Sequence, residues 1–562
     1  MKPGFLLLLM AACGLTQQPV VEIKVDQAGY LADATKIAIV AAPERATEFI
    51  LRSADDGSVV LREKAGEPVS DADSGDRVQA LDFTAVRNPG RYYLELPGVG
   101  RSWTFDIGPD VYARTWYLAM RSYYGQRCGI AVDLGGGYRH AACHLTGAMH
   151  GSSGKEGEHT SQAGWHDAGD YGRYVVNSGI TTGTLLWTWE LFGTRFKNGK
   201  LDIPETGNGT PDLLNEIRWN LQWMLSMQDD DGGVWHKQTS ERFPGFVMPE
   251  KDTTVSYVIG TGKEPYKGSC ATGDFAAVMA IAARAYKPFD AEFAERALGA
   301  ARKAWTWLEK NPAVTFQNPA VVATGAYGDG NCADERLWAA AELHRTTGEV
   351  PYEQDFLANY GNFHVRANAP PSWANVGALG LWTYAMAGGR NPEAVRRIRT
   401  ETLSAADEIV NRTAANGYRV SLTSRDYVWG SNAVAANYGM QLLIANNIQT
   451  NEKYVEAARD NLHYLLGRNT FSLSWVTQVG EHAFQHPHHR PSGADENAEP
   501  WPGLLSGGPN RGRQDDAMRA KLAADLPPAK MYIDDQEAYA ANEVAINWNA
   551  PLVFLLTAQL RQ

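Results

Sequence analysis

Cysteine is scarce in this sequence, with five in 562 residues. Four of them, Cys128, Cys143, Cys270 and Cys332, lie beyond the N-terminal segment, and four in so long a chain are not a disulfide framework. Positive charge is also in deficit: 52 Lys and Arg against 64 Asp and Glu leave a net charge of −12. That argues against nucleic-acid or anionic-membrane binding, which usually needs a basic face. It leaves neutral ligands open. After the first residues no run approaches about 18 consecutive apolar residues, so no mature segment is expected to cross a membrane. No short fixed-period repeat is evident, which argues against a superhelical array. What is present suits a large folded core, since 44% of residues are apolar and 21% charged, far from a disordered composition. The surplus is aromatic, 17 Trp and 24 Tyr. Their flat faces and polar edges serve sugar binding and helical cores alike, so composition does not choose between them.

The chain opens MKPGFLLLLMAACG: one Lys, an apolar run, then small residues. That is the layout of a secretory signal, too short to span a bilayer. Ala11-Ala12-Cys13-Gly14 resembles a bacterial lipoprotein cleavage box, in which Cys13 becomes the lipidated first residue; an ordinary signal cut near Ala12 is the alternative. Residues 1–19 are read as such a signal with a short tether, and the mature protein is expected to be exported: secreted, periplasmic or lipid-anchored. Residues 20–108 alternate in period two, as in KIAIVAA, EFILRSA and GRYYLEL, with turn-rich segments between. About seven short strands at that spacing predict an immunoglobulin-like β-sandwich. Over residues 109–562 apolar residues recur at helical spacing, as in AERALGAARKAWTWLEK, and predict roughly a dozen helices with long Gly/Asp/His-rich loops. The expected fold is mainly α, a small β-sandwich before one large helical domain. Length alone, at roughly 150 residues per domain, suggests three or four units; the pattern reduces them to two. Trp219, Trp223, Trp305 and Trp338 fall at helical spacing and read as core.

Three polar loops stand out. In Gly164–Gly172, Asp167 and Asp170 stand three residues apart among small residues and can point into one space. A helix cap and a turn explain that segment as well. In Gln485–Ser492, three His and Arg490 between two prolines form a stiff, donor-rich loop, with a metal tract or a solvated loop as alternatives. In Asp534–Trp548 an acidic loop runs into an apolar helix with Glu543 near its start, where apolar surroundings would raise a carboxyl pKa and suit a general acid. Together the loops hold the two carboxyl groups that glycoside hydrolysis requires.

WHDAGDYGRYV (165–175), PDLLNEIRWNLQWMLSMQ (211–228), ADERLWAAAEL (333–343), YVWGSN (427–432), YLLGRN (464–469), PHHRPS (487–492) and NEVAINWNAPLV (542–553) resemble glycoside hydrolase family 9, in the subgroup with an N-terminal immunoglobulin-like domain. The resemblance covers essentially the whole mature chain and implies an (α/α)6 barrel. It implies that Asp170 is the base that activates water, Asp167 its companion, and Glu543 the acid that protonates the leaving oxygen. His488 and Arg490 are implied to hydrogen-bond sugar. Trp429 and Trp548 fall at positions of cleft aromatics, Trp548 where some members have Tyr. The family inverts anomeric configuration, so base and acid are expected about 6.5–9.5 Å apart.

The resemblance also implies structural zinc on Cys128, Cys143, His144 and His166, a set that suits a closed tetrahedral site. A Cys128–Cys143 disulfide is the alternative. The Tyr327–Glu335 loop, with Asp329, Asp334 and Glu335, resembles a calcium loop of the family, and an acidic first turn of a helix is its alternative. The GNGTPD and DDDGG stretches (207–212 and 229–233) read as helix cap and turn. The expected activity is an inverting endo-β-1,4-glucanase on cellulose, cello-oligosaccharides or mixed-linkage β-glucan, with no organic cofactor and the chain a monomer. An exo-acting enzyme of the same family and a noncatalytic polysaccharide-binding protein are the alternatives. No binding module is evident after the last helix, which points to soluble chains.

Overall fold

The computed structural model describes residues 18–196 and 199–561. The signal and Cys13 lie outside them. The alternating segments form strands β1 (Ile23–Lys24), β2 (Tyr30–Leu31), β3 (Ile37–Val40), β4 (Glu48–Ser53), β5 (Val59–Lys64), β6 (Val69–Ser70), β7 (Arg77–Asp82), β8 (Gly90–Leu96), β9 (Gly100–Arg101) and β10 (Phe105–Gly108). One sheet has the order β1-β3-β7-β6, the other β2-β10-β8-β4-β5 with β9 on β8. Period two explains the packing: Tyr92, Leu94 and Leu96 of β8 face inward against Phe49 and Leu51 of β4. The edge strand β5 carries Arg62, Glu63 and Lys64 to solvent, which discourages pairing with another chain. The strands beyond the seven expected, β2, β6 and β9, are two residues each, too short to alternate visibly.

The helical region contains α1 (Ala113–Gly125), α2 (Val175–Phe192), α3 (Asp212–Ser226), α4 (Ser269–Tyr286), α5 (Ala291–Lys310), α6 (Ala333–Thr347), α7 (Val350–Asn359), α8 (Gly377–Met386), α9 (Pro392–Ala415), α10 (Ser431–Ile448) and α11 (Glu452–Leu465). Three short helices follow, α12 (Arg490–Ala494), α13 (Asp516–Lys521) and α14 (Tyr539–Asn542), before α15 (Ile546–Gln559). Twelve of these, α1–α11 and α15, have ten residues or more. They separate into two rings. The members α2, α4, α6, α8, α10 and α15 are buried over most of their surface, and α10, α15, α2, α4, α6 and α8 pack in that succession. The outer members bury one face only: α5 turns Phe293, Ala297, Ala301, Ala304 and Leu308 inward. Each outer helix packs on an inner one: α1 on α15, α3 on α2, α5 on α4, α7 on α6, α9 on α8, α11 on α10. This is the (α/α)6 barrel. Small residues let inner helices approach, and a Cβ on Gly183 would come within 2.5 Å of the Trp338 ring. Trp223, Trp305 and Trp338 are core as expected, whereas Trp219 is only half-buried.

The loops at one end of the barrel are more ordered than the sequence pattern suggests. A hairpin pairs β11 (Val132–Asp133) with β12 (Arg139–His140). A five-stranded sheet joins β13 (Thr146–Met149), β14 (Glu158–Thr160), β15 (Arg173–Tyr174), β16 (Lys237–Thr239) and β17 (Ser256–Ile259) in the order β14-β13-β17-β16-β15. A Cys270–Cys332 disulfide ties the first turn of α4 to the start of α6. The DDDGG stretch forms a turn, with the Gly232 N–H donating to Asp229 O at 3.0 Å and the Asp229 N–H to Gly233 O at 2.9 Å, whereas GNGTPD supplies no side-chain cap: Pro211 is the N-cap of α3 and Asp212 instead accepts the Leu201 N–H at 2.8 Å.

Candidate active site

One cavity of about 980 Å³ is lined by Asp167, Asp170, Trp429, His488, Arg490, Glu543 and Trp548, gathering residues from all three polar loops. Trp165 anchors the first loop. Its ring is fully buried against Tyr123 and its N–H donates to Glu216 at 2.9 Å. The chain then crosses the cavity floor before entering β15 and α2. The carboxylate of Asp167 accepts from the Asn177 amide at 2.5 Å and the Tyr327 hydroxyl at 2.6 Å. Asp170 accepts the Tyr174 hydroxyl at 3.1 Å and the Gly172 N–H at 3.0 Å, both on Oδ2. Burial, and then the charge of Asp170, push Asp167 up to about 8, against its two donors.

Glu543 lies near the start of α15, three residues before it, rather than inside a helix. It occupies an extended break between α14 and α15, with φ −66° and ψ 160°. There it bridges His488 in parallel, while the His488 N–H donates to Asn542 O at 2.9 Å and the Gly507 N–H to Glu543 O at 2.8 Å. The second and third loops are thereby joined by backbone. Burial raises the Glu543 carboxyl well above its ordinary range, reinforced by Asp170 and Asp167 and opposed by Arg490 and Trp429.

His488 and Arg490 also lock the floor. Nδ1 of His488 donates to Gln536 O at 2.7 Å, leaving Nε2 as the acceptor, and burial favours the neutral ring. The Arg490 side chain, expected to bind sugar, is largely spent on backbone: Nη1 donates to Gly169 O at 2.7 Å and Nε to Pro244 O at 2.9 Å. A Cβ on Gly169 would come within 1.9 Å of His488 O, so only glycine permits the two loops to approach this closely.

The aromatics divide by exposure. Trp429 is 39% exposed and lies beside Tyr539, with ring centroids 5.5 Å apart. Trp548 packs over Gly430, where a Cβ would come within 2.8 Å of the indole nitrogen. Opposite them stand Tyr327 and Trp373, in edge-to-face contact at 5.2 Å, and Phe243, 46% exposed above Arg490. Sequence reasoning missed Phe243, Tyr327, Trp373, Tyr539, Tyr174 and Asn177. No local signal distinguishes them from core aromatics or a helix amide; the barrel brings them together.

Ligand atoms of Cys128, Cys143, His144 and His166 lie within 4.8 Å of one another. Both cysteines are free, which sets aside a disulfide between them. His144 Nε2 faces Asp252 Oδ2 at 3.1 Å while its Nδ1 is buried without a partner, the arrangement of a ligand imidazole oriented by a carboxylate. The residues fit a thiolate–imidazole metal centre. A second group brings ligand oxygens of Asp329 and Glu335 within 4.8 Å of each other, and Asp334 and Asp274 of α4, the latter missed by sequence reading, lie near enough to act on them electrostatically. Asp274 and Glu335 are fully buried and neither oxygen of either has a partner, nor has Asp329 Oδ2. Burial, and then neighbouring carboxylates, push Asp274 and Glu335 well up. Asp334 and Glu335 do stand in the acidic first turn of α6, but they are buried there, and the unpartnered oxygens beside them fit a hard cation bound by oxygen.

Residues 112–556 match glycosyl hydrolase family 9, and residues 18–101 match the cellulase N-terminal ig-like domain. Endoglucanase D of Acetivibrio thermocellus is 38% identical over 95% of this chain and 82% of its own length. A xyloglucan-specific endo-beta-1,4-glucanase of Bacteroides ovatus is 36% identical over 95% of this chain and 93% of its own. A solved zinc-binding triple mutant of the family 9 endoglucanase J30 superposes with a TM-score of 0.88, at 35% identity over 94% of this chain and 99% of that one. With its barrel, its sandwich and both family matches, the chain belongs to glycosyl hydrolase family 9, in the group with an N-terminal immunoglobulin-like domain.

Proposed function

We propose that this hydrolase is an inverting endo-β-1,4-glucanase of cellulose, cello-oligosaccharides or mixed-linkage β-glucan. One observation carries the reading. A single cavity holds a carboxylate fed by two donors, Asp170, and a carboxyl that burial keeps protonated, Glu543. Asp170 takes a proton from water as the water oxygen bonds to the anomeric carbon. Glu543 gives its proton to the glycosidic oxygen as the bond to that carbon breaks. Asp167 holds the water from the other side. Attack opposite the leaving group turns a β-linkage into an α-anomer. Trp429, Tyr539 and Trp548 offer stacking faces for the chain, and His488 Nε2 an acceptor for a sugar hydroxyl.

Two relatives, an endoglucanase D and a xyloglucan-specific endo-beta-1,4-glucanase, support the substrate class. We assign zinc to Cys128, Cys143, His144 and His166, where it would brace the loop behind Asp167. We assign calcium to Asp274, Asp329, Asp334 and Glu335, where it would neutralise buried charge. The Cys270–Cys332 bond supports export, because such bonds persist in oxidising compartments, and lipidation at Cys13 would tether the enzyme. The test is time-resolved NMR of barley β-glucan hydrolysis with viscometry alongside. The α-anomer should appear first and viscosity should fall ahead of reducing-end release. A β-anomer would rule out inversion, and release of end units at constant viscosity would make the enzyme exo-acting.

A further inference from the structure

Lys237 is a buried cation beside the site that the mechanism leaves without a task. It lies on β16, where it is paired with Tyr174 of β15, and its side chain is fully buried. Nζ donates to Asn318 Oδ1 at 2.8 Å, Gly325 O at 2.7 Å and Thr324 Oγ1 at 3.1 Å, with Thr324 O farther off at 3.4 Å. All are neutral acceptors, and among the described residues no carboxylate lies within 4.0 Å of it. An ammonium buried among neutral groups is costly unless a compensating charge stands near. The nearby charge is that of Asp170. Lys237 Nζ is 5.5 Å from the centroid of the Tyr174 ring, and the hydroxyl of that ring donates to Asp170. Burial lowers the Lys237 pKa to about 7, and the charge of Asp170 opposes that shift.

We propose that Lys237 is a positioning residue for Asp170, supplying positive charge behind Tyr174, whose hydroxyl donates to Asp170, and clamping the Thr324–Gly325 backbone beside it. The remaining groups facing Asp170 do not provide that charge. Asp167 and Glu543 are acids, Tyr174 is a neutral donor, and burial makes His488 neutral. Arg490 is the other cation, and it donates to Gly169 O and Pro244 O. The clamp has a second effect. The Thr324–Tyr327 segment lines the cavity and presents the Tyr327 hydroxyl to Asp167.

The inference rests on Asp170 being the base, whose ionisation sets the acid limb of kcat/KM against pH. On β-glucan, Lys237→Met should move that limb up by about one pH unit, a loss in kcat/KM that approaches about tenfold on the acid side of the limb and vanishes towards neutral pH. Lys237→Arg, which keeps the charge, should restore the limb. Asn318→Ala, which removes an acceptor and keeps the ammonium, should leave it in place. A loss equal at every pH in Lys237→Met, or an unmoved limb, overturns the proposal. Should Lys237→Met show no cooperative melt, Lys237→Gln carries the same expectation. Asp170→Asn separates the two ideas: turnover near wild type removes the base reading, whereas an inactive Asp170→Asn with an unmoved Lys237→Met limb removes only the role of Lys237.

Discussion

At the scale of single residues, the site works by giving similar carboxyl groups different surroundings. Glu543 is raised by burial and by two nearby acids, so it stays protonated above the ordinary carboxylate range. The active form is therefore lost as pH rises through that elevated pKa, which places Glu543 on the alkaline limb of the profile. Glu543→Gln keeps the shape and removes the proton donor. Its kcat on β-glucan should fall by about 10²–10⁴-fold with an unchanged melting temperature. Near-normal turnover by this variant would contradict the assignment. Gly169→Ala is a second sensitive position, because the added methyl would meet the His488 carbonyl at 1.9 Å. Backbone cannot yield there as a flexible side chain would. Activity should drop by at least about tenfold as the two loops part, since small misplacements of catalytic groups are costly.

At the scale of elements, two clusters pin the loops that helix propensity leaves free. The thiolate–imidazole cluster gathers the segments around Cys128 and Cys143 behind His166, the neighbour of Asp167. Elemental analysis should find about one zinc per chain, falling to near zero in Cys128→Ser/Cys143→Ser. The carboxylate cluster joins α4, α6 and the loop that carries Tyr327. Without a cation, Asp274 and Glu335 have raised pKa values, so the folded state holds protons that the unfolded state releases. Stability of the metal-free protein then declines as pH rises above the ordinary carboxylate range. A cation bound by these oxygens would remove that penalty. EGTA should lower the melting temperature more at pH 7 than at pH 5, and calcium at a hundredfold over Kd should restore about 2.7 kcal/mol. An equal EGTA effect at both pH values would count against cation binding there.

At the scale of the whole molecule, the sandwich is a fixed part of the barrel rather than a tethered module. Asp26 accepts the Ala28 and Gly29 N–H groups and lies 2.7 Å from His463 Nδ1 of α11. Burial raises Asp26 and lowers His463, so the contact is a neutral hydrogen bond in a dry interface. Gln27 reaches Ser472 O and His482 O, and Lys530 pairs with Asp76. Asp26→Ala leaves several buried donors unpaired and should cost on the order of 3 kcal/mol by urea denaturation. A loss below about 0.5 kcal/mol would mean the two parts are only loosely docked. The sequence by itself determined the two-part architecture, because period two and period 3.6 are local consequences of which face each element buries. It also held Asp167, Asp170 and Glu543 in recognisable motifs, and the Cys128, Cys143, His144 and His166 cluster in theirs. Only the tertiary structure decided the rest. The two-residue strands and the five-stranded sheet were invisible because so few residues cannot show a period. The sequence put Glu543 near the start of an apolar helix, while its bridge to His488 depends on a loop 55 residues away. Asp274 lies within α4 and Lys237 on the three-residue strand β16, where no local pattern marks them. Their role comes from burial beside charges that are distant along the chain, and burial is a property of the folded packing alone.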